Sequence, residues 1–159
     1  MIRDKRLIKD DKENGLRTAE EGGIRMNLYE HRISTRDAQQ MAKVTDMVRQ
    51  DIVKSGIREG IVVVYSPHTT AGFTINENAD PDVVHDMLYG LEEAFPVRTG
   101  YYQHMEGNSH AHIKTSFVGA SQTLILHDGE LVLGIWQDLY FCEFDGPRNR
   151  KFYVKIMEG

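Results

Sequence analysis

The stretch 101–114, which reads YYQHMEGNSHAHIK, concentrates the side chains of this chain that could do chemistry. Its five candidate groups are three of the seven histidines and two neighbours, namely His104, His110, His112, Glu106 and Asn108. All five positions are even-numbered, so an extended strand would project them from one face. Imidazole with carboxylate or amide oxygen suits zinc and other first-row divalent ions, and imidazole also transfers protons near neutral pH. The cluster therefore predicts a functional pocket, whereas one isolated histidine would indicate a polar surface loop.

The backbone conformation that follows decides how much of this set converges. Residues 113–117 fit a strand or a short helix, because their apolar positions do not favour one period over the other. If a helix begins near Ser109, His112 points away from Glu106 and only part of the even-numbered set meets.

A second polar patch follows a buried strand. Residues 60–65 form a β-branched run that is typical of a strand buried on both faces. The turn-forming sequence SPHTTAG, with His68 in it, comes next, and a short strand then ends at Asn76. Loops at strand ends are where rigid scaffolds hold catalytic groups, so His68 and Asn76 join the candidates.

Two amphipathic helices are predicted around these strands. The first has N-cap candidates at Ser34 and Thr35, with apolar residues spaced by three and four over 38–52. The second begins at Asp80, the expected N-cap, with Pro81 in the first helical position. Capping is favoured over catalysis as the role of Asp80.

The C-terminal third of the chain is rich in predicted strands. Residues 122–126 and 130–136 flank an Asp-Gly pair at 128–129, which is a specific hairpin signal. Further on, the tight turn at 145–148 displays Arg148. This side chain is either a loop cation without a ligand or the guanidinium fork for a phosphate or carboxylate, and the sequence leaves both open.

Length and composition indicate one soluble domain, since 159 residues with 40% hydrophobic content can bury a core. The net charge of −5 and the absence of a basic run argue against nucleic acid or an anionic membrane as the main partner. Cys142 is the single cysteine, and no signal peptide or 18-residue apolar span is seen, so a cytoplasmic protein is expected. Cys142 lies in an apolar run and is expected to pack as a small hydrophobe.

Residues 1–25 differ from the rest of the chain. Thirteen of them are charged, none is aromatic, and their apolar residues follow no period. We interpret them as a flexible N-terminal extension to a domain spanning 26–159. The alternative is an arm that wraps a neighbouring subunit.

Four segments, SPHTTAGFTINENADPD, YQHMEGNSHAHIK, LVLGIWQ and EFDGPR, occur in this order and resemble the YjbQ family, or UPF0047, whose members are often labelled secondary thiamine-phosphate synthase. The resemblance covers nearly all of 27–159. It implies a single compact α+β domain, with mixed or antiparallel β-sheets and two main helices, that assembles as a homotrimer. It also implies a polar pocket whose recurrent positions are matched by His68, His104, His112, Asn76, Glu106, Gln137 and Arg148. His110 and His85 match less regular positions.

The resulting hypothesis is a divalent metal site that binds a small phosphorylated metabolite, with zinc as the expected ion. The metal ligands are His68, His104 and His112. The assigned catalytic groups are Glu106, Asn108 and Arg148, and the assigned ligand-binding groups are Asn76, Gln137 and Arg148. Three further histidines, His31, His85 and His127, are expected at the surface without a role.

The activity implied by the resemblance is thiamine-phosphate synthesis, which joins a pyrimidine diphosphate to a thiazole phosphate. Diphosphate chemistry usually employs Mg²⁺ carboxylates and several Lys or Arg side chains, whereas these motifs offer imidazoles and one arginine. A metal-dependent hydrolase is therefore an alternative. A non-catalytic metabolite- or metal-binding trimer is a third possibility, from a different class of protein.

Overall fold

The computed structural model describes residues 16–21 and 24–159, and side chains from residue 27 onward. Within this part of the chain there are nine strands and three helices. The strands are β1 (Leu16–Glu21), β2 (Ile24–Ser34), β3 (Gln40–Lys43), β4 (Gly60–Tyr65), β5 (Ala71–Glu77), β6 (Ser121–His127), β7 (Glu130–Leu131), β8 (Gln137–Glu143) and β9 (Asn149–Glu158). The helices are α1 (Thr45–Ser55), α2 (Pro81–Ala94) and α3 (Ser109–Val118). No helix in these ranges is long and apolar enough to cross a membrane.

The strands form two antiparallel sheets that share a core. One sheet has the order β1-β2-β9-β4-β6-β7 and the other has the order β3-β8-β5. Phe73 of the smaller sheet meets Phe152 of the larger one edge to face, with ring centroids 5.5 Å apart. Val48 and Ile52 of α1 are buried in the same apolar cluster. This arrangement confirms the predicted α+β class.

Helices α2 and α3 cover the other face of the smaller sheet. Ala111 of α3 is buried against Tyr140, Cys142 and Phe144 of the β8 segment. Burial raises the pKa of the Cys142 thiol to about 12, so its expected role as a packed hydrophobe is confirmed. Helix α2 packs more loosely, because none of its own side chains is fully buried.

The predicted start of the first helix is wrong. Residues 40–43 form strand β3, in which Met41 pairs with Cys142, and α1 begins only at Thr45. The Gln40 side chain accepts hydrogen bonds from the backbone N–H groups of Arg36 and Asp37 at 2.7 and 3.2 Å, which closes a turn before the strand. Pairing with a strand about one hundred residues away thus overrides the local helical period.

The two predictions that depend on short-range signals are confirmed. Asp80 caps α2, since its carboxylate accepts a hydrogen bond from the Asp82 N–H at 2.9 Å. Asp128 and Gly129 have φ of 56° and 83° and join β6 to β7. Positive φ at both central residues is what a two-residue hairpin loop requires.

Strand β4 is buried on one face only, so the prediction of burial on both faces is wrong for the single chain. Ile61 and Tyr65 are 38% and 47% exposed, and Ile125 of the paired strand β6 is exposed on the same side of the sheet. The chain therefore leaves apolar side chains uncovered on the outer face of the larger sheet.

Part of the predicted N-terminal extension forms a strand. Residues 16–21 pair with β2 in a register that joins Leu16 to Tyr29 and Glu21 to Ile24. The ordered segment β2 thus begins two residues before Met26. Residues 1–15 and 22–23 lie outside the described residues.

Candidate functional site

The histidine-rich stretch is a turn followed by a helix, which is the second of the two alternatives that the sequence left open. Helix α3 begins at Ser109, and residues two positions apart in a helix point to nearly opposite sides. His110 is consequently turned inward and is only 7% exposed. His112 is half-buried on the outer side of the helix.

The turn before α3 brings His104 next to His112. The Gly107 N–H donates to the His104 carbonyl at 3.0 Å, and Gly107 has φ of 73°, a conformation that glycine adopts readily. The imidazole centroids of His104 and His112 lie 5.3 Å apart with their planes at 78°. Glu106 approaches the same place, since its Oε2 lies 3.7 Å from Nε2 of His104. Three of the five predicted groups therefore converge, although α3 is helical.

The side chains of His104 and His112 belong to an open groove of about 530 Å³. The groove is lined by two imidazoles, two phenols and smaller groups, namely His104, His112, Tyr101, Tyr102, Gln103, Ser109 and Ile113. Neither imidazole ring makes a hydrogen bond to another described residue. The rings are thus available to a metal ion, a proton or a ligand.

His68 lies elsewhere, beside the start of β9. Its Nε2 is 3.1 Å from the Lys151 carbonyl oxygen and 3.2 Å from the Lys151 N–H. Burial, and after it the positive charge of Arg150, lower the pKa of His68. The imidazole is therefore neutral at pH 7, which is the form that binds metals.

A single chain does not assemble the three predicted ligands. Among the residues that the structure describes, no three His, Cys, Asp or Glu side chains are grouped so that they could hold a metal ion. His104 and His112 are brought together, and His68 is on a different part of the surface.

Asn108 and Arg148 meet at the carboxylate of Asp145. The Asn108 amide Nδ2 donates to Asp145 Oδ2 at 3.0 Å. Arg148 donates from Nε to the Asp145 carbonyl and from Nη2 to Asp145 Oδ2, both at 2.7 Å. The guanidinium of Arg148 thus stabilises the turn 145–148 to which it belongs. Asn108 Oδ1 is buried and has no hydrogen-bond partner among the described residues.

Asn76 and Gln137 lie together at one end of the smaller sheet. Asn76 Oδ1 accepts from the Glu77 N–H, and Gln137 Oε1 accepts from the Gly134 N–H, both at 2.8 Å. Glu77 is the strand partner of Gln137, whereas the His68 loop enters the opposite end of β5. Five residues of strand separate these two ends by about 17 Å. The predicted ligand-binding pair and His68 are therefore far apart in one chain.

Two buried polar networks were missed by the sequence analysis. Arg150 donates to both carboxylate oxygens of Glu143 at 2.6 Å and to Thr70 Oγ1 at 2.8 Å. The Lys114 ammonium lies 2.5 Å from Glu92 Oε2 and 2.7 Å from Gln39 Oε1. Lys114 could have been suspected, because it follows buried Ala111 by three positions on the same helix face.

His31 is not a free surface residue, so that prediction is wrong. Its Nε2 lies 2.5 Å from Asp51 Oδ2, and its ring stacks on Phe152 with centroids 4.9 Å apart. This pair links β2 to α1. His85 and His127 are exposed as expected, beside Asp86 and Glu59 respectively.

The fold and the groove together define a small α+β protein that presents paired histidines on an open surface. The family described as UPF0047 protein YjbQ-like matches residues 29–159, and the chain belongs to this family.

Relatives and solved structures agree with this assignment. The UPF0047 protein YugU of Bacillus subtilis is 51% identical over 125 residues, which are 79% of this chain and 95% of YugU. A solved structure of an uncharacterized YjbQ/UPF0047 protein from Clostridium acetobutylicum superposes with a TM-score of 0.78 at 53% identity, covering 80% of this chain and 98% of that one. A YbjQ-like protein of unknown function from Sulfolobus solfataricus superposes with a TM-score of 0.82 at 30% identity, covering 86% and 99%. None of these names states an activity.

Proposed function

We propose that this chain is an enzyme of the secondary thiamine-phosphate synthase type. It would act on a small phosphorylated metabolite and use a divalent metal ion, for which zinc is the first candidate. The observation that carries the proposal is the groove in which His104 and His112 lie 5.3 Å apart beside Glu106. Neither imidazole makes a hydrogen bond to a described residue, so both rings can bind a ligand without breaking a contact within the chain.

The proposed chemistry forms a bond between the thiazole ring nitrogen and the methylene carbon attached to the pyrimidine, while the C–O bond from that carbon to the diphosphate breaks and diphosphate leaves. A divalent ion held by imidazoles would neutralise the charge that develops on the leaving diphosphate. Tyr101 and Tyr102 line the groove and offer aromatic faces to a planar heterocycle. Glu106, with a side chain that is 74% exposed, is the proposed general base or the group that orients the His104 ring.

The other assigned groups are proposed to bind phosphate and to position the ligand. For Arg148 to bind a phosphate, that phosphate must compete with Asp145 for the guanidinium, which Asp145 now contacts at 2.7 Å. Asn108 offers a buried Oδ1 that no described residue contacts. Asn76 and Gln137 are proposed to contact a ligand bound between subunits.

The proposal includes a cytoplasmic homotrimer. Apolar side chains at the groove are exposed in the single chain, namely Tyr101, which lines it, and Met105, which follows His104 in the sequence. Exposed apolar surface of this kind is typical of a subunit interface. Light scattering is expected to report about three times the 18.2 kDa chain mass, and a monomer at micromolar concentration would contradict the trimer.

Metal-dependent hydrolysis is the second candidate, and one observation favours it. Arg148 is already paired with Asp145, so the described groove offers imidazoles and a carboxylate in place of several free cations. Such ligands suit a metal ion that activates water.

Metal analysis followed by two assays tests these functions. Protein purified without a histidine tag is analysed for zinc and then supplied either with the pyrimidine diphosphate and thiazole phosphate or with p-nitrophenyl phosphate. The proposal predicts thiamine phosphate formation that chelator abolishes and zinc restores. Phosphate release alone would favour a hydrolase, and bound zinc without turnover would favour a binding protein. His85→Ala is the control, since His85 is exposed and outside the groove.

A further inference from the structure

We infer that the metal site is shared between two copies of the chain, with His68 of one copy completing the His104–His112 pair of the next. This inference rests on the proposed metal site and adds which chain supplies each ligand.

The groove by itself is an incomplete site. A catalytic zinc ion takes three protein ligands and keeps a fourth position for water or substrate. The groove supplies two imidazoles, and Glu106, whose side chain is 74% exposed, is not among the residues that line it. No three potential ligands are grouped within the part of the chain that the structure describes.

His68 has the features of a ligand whose metal partner is missing. Its Nε2 lies 3.1 Å from the Lys151 carbonyl oxygen and 3.2 Å from the Lys151 N–H, and the tautomer that donates from Nε2 to the carbonyl is the arrangement found in metal-binding histidines. That contact leaves Nδ1 open, and Nδ1 makes no hydrogen bond to any described residue.

His68 is not grouped with the groove histidines of its own chain, and both parts are held in place. Its loop is fixed by the hydrogen bond from Ser66 Oγ to the Ala71 carbonyl at 2.7 Å and by the bond from Arg150 to Thr70. The groove is equally fixed, because His112 belongs to α3. A third imidazole must therefore come from another molecule, and the chain itself carries a suitable one.

The surface around the groove fits a second copy of the chain. Met105, which follows His104 in the sequence, is 100% exposed, and Tyr101, which lines the groove, is 73% exposed. A copy that covered these side chains would bury apolar surface and exclude water from the groove. In a cyclic assembly each copy would give His68 to one neighbour and receive His68 from the other.

Mixed assemblies of two inactive variants test the inference. His68→Ala and His104→Ala chains carrying different tags are coexpressed, and assemblies that contain both tags are isolated. A shared site predicts that each variant alone binds no zinc, whereas a mixed trimer regains about one intact site, since one neighbouring pair combines both wild-type ligands. Native mass spectrometry counts the zinc ions in each assembly.

The matched control combines His104→Ala with His112→Ala. Both residues belong to the same groove, so no neighbouring pair in this mixture has an intact site and no zinc is expected. If His68→Ala chains do not assemble, His68→Gln replaces them, and circular dichroism checks the fold of every variant.

The outcomes separate this inference from the proposed function. Wild-type protein without zinc would overturn both. Zinc in the wild-type protein but none in the His68→Ala and His104→Ala mixture would overturn the shared site and leave a metal site within one chain. Full zinc binding by His68→Ala alone would also overturn the inference, and so would a monomeric wild-type protein that binds zinc.

Discussion

The groove around His104 and the buried network around Glu143 use polar groups in opposite ways. Glu143 is fully buried, and its carboxylate accepts from Arg150, from Thr35 and from the backbone N–H groups of Phe144 and Asp145. His104 is exposed, and its nearest charged neighbour is 3.7 Å away. The Glu143 carboxylate is hydrogen-bonded within the chain, whereas the imidazoles of the groove make no hydrogen bond to a described residue.

This difference separates structural from functional polar residues. Burying a charge is costly unless it is paired and hydrogen-bonded, so the Glu143 network is complete in the folded chain. Exposed imidazoles carry no such requirement and contribute little to stability. Removing a group from the first region should therefore lower the free energy of unfolding, and removing one from the second should change only binding.

The largest expected effect is that of Glu143→Ala. It leaves Arg150 buried without its partner, which costs about 3–5 kcal/mol of the free energy of unfolding. Urea denaturation followed by circular dichroism measures the change.

The control for this prediction replaces both partners. Glu143→Leu combined with Arg150→Met removes both charges, and we expect the double variant to be more stable than Glu143→Ala. A loss below about 1 kcal/mol for Glu143→Ala would show that the buried Glu143–Arg150 pair contributes little to stability.

A smaller loss is expected for Lys114→Met. The Lys114 ammonium is buried, but its partner Glu92 is about one-third exposed and can be hydrated when the lysine is removed. We expect a loss of about 1–3 kcal/mol, with zinc binding retained. The same urea titration and a zinc assay check both parts, and loss of zinc would place Lys114 in the metal site.

Replacing the groove histidines should hardly affect stability. His104→Ala and His112→Ala are expected to change the free energy of unfolding by less than about 0.5 kcal/mol, because both side chains are accessible to solvent. Zinc binding should be lost in both, as measured by metal analysis. His85→Ala is the matched exposed control and should retain zinc. Stoichiometric zinc in both groove variants would refute the metal site.

Zinc occupancy should depend on pH through the imidazoles. Only the neutral ring binds the ion, so occupancy is expected to fall as the pH drops through about 6. The pKa of His68 is lowered by burial. Equilibrium dialysis between pH 5 and 8 measures occupancy, and a flat profile would exclude imidazole ligands.

The smallest expected effect is the titration of individual histidines. The pKa of His127 is raised by its hydrogen bond to Glu59, whereas that of His68 is lowered by burial. The His127 pair stabilises the fold below the unfolded pKa and loses this effect as the pH rises through the folded pKa. For His68 the sign is opposite, and stability falls as the pH drops below the unfolded pKa. NMR titration of the ring protons should give His127 the higher pKa, and the reverse order would contradict both environments.

The sequence determined those elements whose hydrogen bonds close within a few residues. Asp80 and Pro81 specify the start of α2, and Asp128 and Gly129 specify the β6–β7 hairpin, because the cap and the turn depend only on adjacent backbone conformations. The sequence also located the histidine-rich stretch, although it left strand and helix undecided there. The burial of Cys142 could be predicted because the residues around it are uniformly apolar.

Tertiary structure decided what depends on contacts between distant residues. Met41 joined a strand and not a helix because β8 supplied a partner, and His31 found Asp51 twenty positions away. The start of α3 turned His110 inward and left His104 and His112 together, which a two-residue alternation could not show. The position of His68 could not be predicted from the sequence either. It depends on the contact between the His68 ring and Lys151 of β9, which is 83 positions away in the chain.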